Sequence, residues 1–231
     1  MRERRLPVFG EWESVPERRD AAESRERILS AARELFERKG VDAVSMHEIG
    51  RAAGVGQGTL YRRFAHKGEL CLALLRESIG RFTEEVAQEV EDEREPALKR
   101  LVRLLEQLAS FTERNAALLG AVRDASGGER RTEIYQSPFY GWLRAVTIWL
   151  LGRAVERGEA RGDLDVEAVA DSVLAPLNVE LYEFQRRKLG LEVERVVRAL
   201  SGLLLEGLRA RSVQPENGAG ERESSSGGSE P

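Results

Sequence analysis

The chain has 231 residues, 41% of them apolar and 33% charged, with a formal net charge of −4. That length suits a small domain plus a larger one, and the composition suits a packed core beneath long solvated helix faces, not a disordered or fibrous chain. No run approaches the roughly 18 uninterrupted apolar residues of a membrane helix, and a single cysteine, Cys71, excludes an intrachain disulfide or a multi-cysteine zinc cage.

The opening MRERRLPVFGEWESVPERR holds no apolar stretch of the signal-peptide kind, so a cytoplasmic location is expected. Residues 1–20 mix both charge signs with Pro7, Gly10 and Pro16 and show no sustained period, which predicts a flexible arm. From Ala21 to Lys39, apolar Ile28, Leu29, Ala32, Leu35 and Phe36 recur at helical spacing, and Gly40 supplies a C-terminal stop. Ser45-Met46-His47-Glu48 has the capping-box pattern, in which hydroxyl and carboxylate each satisfy an unpaired backbone N–H at a helix start. The short helix it opens carries Ile49, Ala52 and Ala53; Gly54-Val55-Gly56 breaks it, and 57–64 reads as a third short helix.

Beyond Lys67 a long periodic segment runs through Leu70, Leu74, Leu75, Ile79, Phe82 and Val86 to the charge run at 91–95. Pro96 suits the first turn of the next helix, with Leu101, Leu104, Leu105, Leu108 and Phe111, and a separate shorter helix is expected over 116–122. Ser137-Pro138 gives a cap and a first-turn proline for a helix through Trp142 and Trp149 to about residue 157. After a turn at Gly158, Gly162 and Asp163, two further helices are expected over 166–187 and 191–211. The stretch 213–231, rich in Gly, Ser and Glu, reads as a disordered tail. The architecture this predicts is all-α, with about nine helices, no sheet and no internal repeat.

Two short helices joined by a glycine-containing turn describe a helix-turn-helix, whose second member enters the major groove of DNA. Ile49, Ala53, Val55 and Leu60 fall where the two helices share an apolar edge, Gly54 where the chain needs a left-handed conformation, and small Gly50 and Ala53 where the helices approach closely. From Ile49 to Gly68 there are four basic residues, Arg51, Arg62, Arg63 and Lys67, and no Asp or Glu, so one short segment is positive on an otherwise acidic chain. Only four of the 36 basic residues are Lys, so Arg in itself says little about DNA. Gln57, Thr59, Tyr61, Arg62 and Arg63 offer the donors and acceptors that bases and phosphates use.

Residues 25–70, RERILSAARELFERKGVDAVSMHEIGRAAGVGQGTLYRRFAHKGEL, resemble the DNA-binding module of the TetR family of one-component transcriptional regulators. The first helix, the Gly40 stop, the Ser45 cap, the turn at 53–55, Gly58-Thr59-Leu60-Tyr61, Phe64 and Lys67 agree in order and spacing. The resemblance implies that Ser45, Tyr61 and Lys67 contact phosphates, that Gln57, Thr59 and Arg62 face base edges, and that Leu60 and Phe64 are core; Gly58 and Arg63 complete the expected DNA-binding set. Two residues depart from the pattern: Gly50 where the family often has Ala, and His66 where a better helix N-cap such as Ser is common. Both are expected to weaken local helix ends.

The resemblance further implies a helix-turn-helix unit at 21–68 and a helical effector-binding and dimerisation unit at 69–211; composition leaves a disordered tail at 212–231. Apolar stripes at Val169, Val173, Leu177 and Leu181, and at Val193, Val196, Val197, Leu200, Leu203, Leu204 and Leu208, suit a four-helix interface between two copies, or ordinary core. Phe111, Phe139, Trp142, Trp149 and Tyr182, with Asn178 to orient a ligand, are the expected lining of a pocket for a small apolar or aromatic effector. The predicted partners are a double-stranded DNA operator, a second copy and that effector; no membrane, metal or cofactor is expected. An enzyme finds little support, with two His, no phosphate-cradling glycine loop and no spaced metal ligands. The other alternative is a dimeric DNA-binding regulator that works without an effector, through a protein partner.

Overall fold

Gly40 ends the first helix because it takes φ +81°, a left-handed geometry that strains any residue with a Cβ; its N–H donates to Phe36 O at 2.8 Å. That helix is α1 (Arg19–Lys39), and α2 (Met46–Ala52) and α3 (Gln57–Arg63) follow. Two long helices come next, α4 (Lys67–Val90) and α5 (Ala97–Ala125), of 24 and 29 residues. A 3₁₀ turn (Glu133–Gln136) leads into α6 (Pro138–Glu156). Then come α7 (Val166–Leu174), a second 3₁₀ turn (Ala175–Leu177), α8 (Val179–Arg187) and α9 (Val193–Leu208). The computed structural model describes residues 7–10, 19–125 and 133–209. Among them there is no strand, only an isolated bridge between Ala160 and Arg209, and the tail expected over 212–231 lies outside them.

The fold departs from the sequence expectation at two elements. The helix expected to stop near Phe111 and restart at 116 is the single α5, because the polar residues between turn their side chains to carbonyls: Asn115 Nδ2 donates to Phe111 O at 2.8 Å and Thr112 Oγ1 to Leu177 O at 3.4 Å. Conversely, the helix expected over 166–187 is broken at Pro176, which has no N–H and crowds the preceding turn; Asn178 then starts α8 afresh by accepting from Leu181 N at 2.8 Å. His66 also does more than expected, since its Nδ1 accepts from Glu69 N at 3.3 Å and so caps α4.

Buried side chains form two clusters. One joins α1, α2, α3 and the start of α4 through Ile28, Leu29, Ala32, Ile49, Leu60, Phe64 and Leu70; the other joins the remainder of α4 to α5–α9 through Phe82, Leu101, Leu105, Leu150 and Val173. Helix α4 belongs to both, with Leu70 and Leu74 in the first and Leu75, Ile79 and Phe82 in the second. The far end of α5 folds back against the start of α4, so closely that a Cβ on Gly68 would sit 2.3 Å from Ala125 Cβ. Cys71 is fully buried and its thiol is pushed up to about 11 by that burial, which makes it a packing residue.

Candidate nucleic-acid interface

Helix α2 is positioned by its own first turn. Ser45 Oγ accepts from Glu48 N at 3.2 Å while Glu48 Oε2 accepts from Ser45 N at 3.0 Å and from the Ser45 hydroxyl at 3.1 Å. Lys39 Nζ, at the end of α1, lies 2.9 Å from Glu48 Oε1. The backbone N–H of Ser45, followed by Lys39 and the Ser45 hydroxyl, holds the Glu48 carboxyl down at about 2. The turn into α3 is set by Gly54, at φ +65°, and by Val55 N donating to Gly50 O at 3.0 Å. Ile49 and Leu60 are fully buried where α2 crosses α3.

On this frame α3 presents one face outward. Tyr61 is 50% exposed although it is a large aromatic residue, Arg62 is exposed, and Gln57, Thr59 and Arg63 are half-buried. Gln57 Nε2 reaches back to His47 O at 3.4 Å. Gly50 makes room for it: a Cβ there would lie 2.6 Å from Gln57 Nε2 and 3.2 Å from Leu60 Cδ2. The departure from the family pattern at Gly50 is thus matched to the glutamine, a relation between residues seven apart that helix propensity alone does not reveal. Gly58 is exposed, and a Cβ on it would meet nothing within 4 Å.

Two expected phosphate contacts are engaged inside the protein. Lys67 Nζ donates to the carbonyls of Val41 at 2.8 Å, Asp42 at 3.4 Å and Val44 at 3.1 Å, which ties the start of α4 to the loop between α1 and α2. Ser45, though exposed, has its hydroxyl in the capping box.

The six expected effector residues do not line one cavity. Phe111, Phe139 and Trp142 pack with Phe82, ring centroids 4.9 Å apart for Phe82–Phe111, 5.3 Å for Phe111–Phe139 and 6.3 Å for Phe82–Trp142. Trp149 is buried beneath two guanidinium groups, those of Arg100 and Arg153, each 5.4 Å from its ring. Asn178 is the cap of α8. Of the six, Tyr182 lines a shallow cleft between α5, α8 and α9, which Thr112, Leu177, Arg186 and Val193 also line. Arg186 lies there with Nη2 3.5 Å from Glu113 Oε1 and Nη1 2.7 Å from Glu192 Oε2. The opening arm is not free throughout: Trp142 Nε1 donates to Pro7 O at 3.1 Å and the Phe9 ring stands edge-on to Trp142 at 6.0 Å.

No helix among the described residues is long and apolar enough to cross a membrane, and none of their His, Cys, Asp and Glu side chains gather as a metal site. Residues 28–74 match the model of the family described as bacterial regulatory proteins, tetR family. An HTH-type transcriptional regulator of Staphylococcus aureus (strain MRSA252) is 28% identical over 189 residues, covering 82% of this chain and 96% of the relative. A solved gamma-butyrolactone receptor superposes with a TM-score of 0.54 at 26% identity, over 82% of this chain and 90% of the other. The fold also matches Thermus thermophilus FadR, a TetR-family transcriptional repressor in complex with lauroyl-CoA, with a TM-score of 0.61 at 24% identity over 84% and 99% of the two chains. A further match is a transcriptional regulator from Saccharomonospora viridis in complex with choline, with a TM-score of 0.63 at 20% identity over 82% and 100% of the two chains.

Proposed function

The chain belongs to the tetR family of bacterial regulatory proteins, and from that premise we propose that it is a homodimeric repressor that lays α3 in the major groove of a DNA operator and is released by a small effector. The observation that carries this reading is the outward face of α3, where Gln57, Thr59, Tyr61 and Arg62 stand on a stretch without a carboxylate, over fully buried Leu60. Glutamine matches adenine with a paired donor and acceptor, arginine matches guanine or phosphate, threonine meets a thymine methyl, and tyrosine holds a phosphate.

Gly58 supports the same reading. Neither a left-handed dihedral nor a close neighbour requires it. Glycine is a poor helix former, and bare backbone is what the close approach of another chain needs. Ser45 and Lys67 serve in this reading to fix α2 and α4 around the reading helix, and half-buried Arg63 flanks it.

Dimerisation is assigned to α8 and α9. Phe184 is 51% and Leu203 75% exposed there, and Gly202 and Gly207 leave open space over α9 for a partner helix. A two-fold pair places two reading helices on half-sites one helical turn apart, about 34 Å. Complete release, from 1:99 to 99:1, requires an effector that prefers one arrangement by about 5.5 kcal/mol.

The effector's chemistry does not follow from the fold, since the solved relatives hold ligands as different as lauroyl-CoA and choline. A second reading, regulation through a protein partner without an effector, is favoured by the mutual packing of Phe82, Phe111, Phe139 and Trp142. Selection of bound sequences from random DNA, followed by footprinting, tests the proposal: an inverted repeat with half-sites one turn apart is expected, and the absence of any enriched sequence refutes it.

A further inference from the structure

Residues 7–10 lie on the second cluster although the first helix they lead to belongs to the other. Their exposure alternates as in an extended segment with one face down: Pro7 and Phe9 are half-buried, whereas Val8 is 89% exposed and Gly10 is exposed. Both downward residues meet one side chain. The Trp142 indole N–H donates to the Pro7 carbonyl at 3.1 Å, and the Phe9 ring stands at 82° to the Trp142 ring with centroids 6.0 Å apart.

Trp142 is only 5% exposed and its ring leads into the group formed by Phe82, Phe111 and Phe139. A buried indole N–H needs an acceptor. Here that acceptor comes from a short extended segment, not from the helices that surround the ring. A carbonyl and an aromatic ring held together at the rim of an aromatic cluster are also what a small ligand would bring.

We propose that Pro7 and Phe9 are the chain's own occupant of an effector site at Trp142, and that the effector which displaces them is a flat apolar ring carrying a hydrogen-bond acceptor. The inference rests on the effector-responsive reading above. The ring takes the place of Phe9, and the acceptor takes the Trp142 N–H that the Pro7 carbonyl holds. A self-occupant lowers apparent ligand affinity by the fraction of time the site is free, so its removal tightens binding.

The test titrates 7-hydroxycoumarin, a flat fluorescent ring with a carbonyl acceptor, into full-length protein and follows polarisation. The forms compared are the wild type, Phe9→Ala, Trp142→Phe in the Phe9→Ala background, and Val8→Ala as a control in the same segment, each checked for helix content. The expected result is that Phe9→Ala binds about tenfold tighter than the wild type, as for an arm docked about 90% of the time. Val8→Ala should match the wild type, and the added Trp142→Phe should lose the gain. A peptide of residues 5–11 should compete with the dye in Phe9→Ala. Dye affinity that is equal in wild type and Phe9→Ala, absent from both, or indifferent to the peptide overturns the proposal. Operator binding on the same preparations separates the two claims. Operator binding without arm-dependent dye binding refutes this site and leaves the regulator intact; arm-dependent dye binding that leaves operator affinity unmoved supports the self-occupied site and refutes effector release.

Discussion

For single residues, the partners of a side chain define what it does. Glu48 is held at about 2 against an ordinary 4.5, first by the Ser45 backbone N–H and then by Lys39 and the Ser45 hydroxyl. A carboxyl depressed in this way contributes stability that is fully present above its unfolded value and is lost as pH falls from about 4.5 to about 2. Urea unfolding of Glu48→Gln should therefore show lower stability than the wild type at pH 6 and convergence near pH 2; parallel curves across that range would contradict the assignment. Arg100 is 2% exposed, donates Nη1 to Val90 O, and has no partner for Nε or Nη2 among the described residues. Burial also lowers its tendency to stay charged. Because a buried charge with few partners stabilises little, Arg100→Met, which keeps the apolar stem over Trp149, should change unfolding free energy by less than about 1 kcal/mol. A loss of about 3 kcal/mol or more would show that the guanidinium holds the bundle together. Ser45, Glu48 and Gly54 could be read from sequence because their partners lie within a turn. The positions that Lys67, Asn178 and Phe9 occupy could not, since Lys67 and Phe9 meet groups far along the chain and Asn178 acts only after Pro176 has broken the helix.

At the scale of elements, periodicity located the helices and failed where a local rule met a tertiary one. The polar stretch around Asn115 reads as a break because Thr, Asn and charged residues compete with helix. In the fold Asn115 turns that competition inward onto Phe111 O, and α5 continues. Pro176 is the opposite case, an apolar stripe running on through a residue that stops the helix. The crossing of α2 and α3 yields a prediction of its own. Alanine at position 50 would bring its Cβ within 2.6 Å of Gln57 Nε2 and push that side chain off His47 O. Gly50→Ala should thus alter operator affinity in the presence of Gln57 and have little further effect on Gln57→Ala. A double-mutant cycle measured by gel shift reads this coupling, and additive effects would show that the glycine and the glutamine act independently.

At the scale of the whole molecule, α4 is the element that both buried clusters share, and its start is pressed against the end of α5 at Gly68 and Ala125. A change in the larger cluster therefore has a packed route to α3. In the proposed function, dimerisation supplies the second half of the recognition. Phe184→Glu and Leu203→Glu, on exposed positions of α8 and α9, should leave helix content unchanged while sedimentation reports a monomer and operator affinity falls at least tenfold; a dimer that survives both substitutions would place the interface elsewhere. All-α architecture and the short helix pair α2–α3 were legible in the sequence because each depends on spacing and on local caps. The site proposed at Trp142 was legible only in part: Trp142 stood among the expected pocket residues, but aromatic residues at helical spacing look alike whether they line a cavity or pack against one another, and nothing local marks Pro7 and Phe9 as their partners.

DNA reading by α3 is checked by the affinities of wild type and Arg62→Ala for the DNA upstream of the chain's own coding sequence, each set beside its unfolding curve. Specific, salt-sensitive binding is predicted, weakened by about 1–3 kcal/mol in Arg62→Ala with stability unchanged. Equal affinity of the two proteins for a specific site would remove the exposed arginine of α3 from the interface and contradict the account.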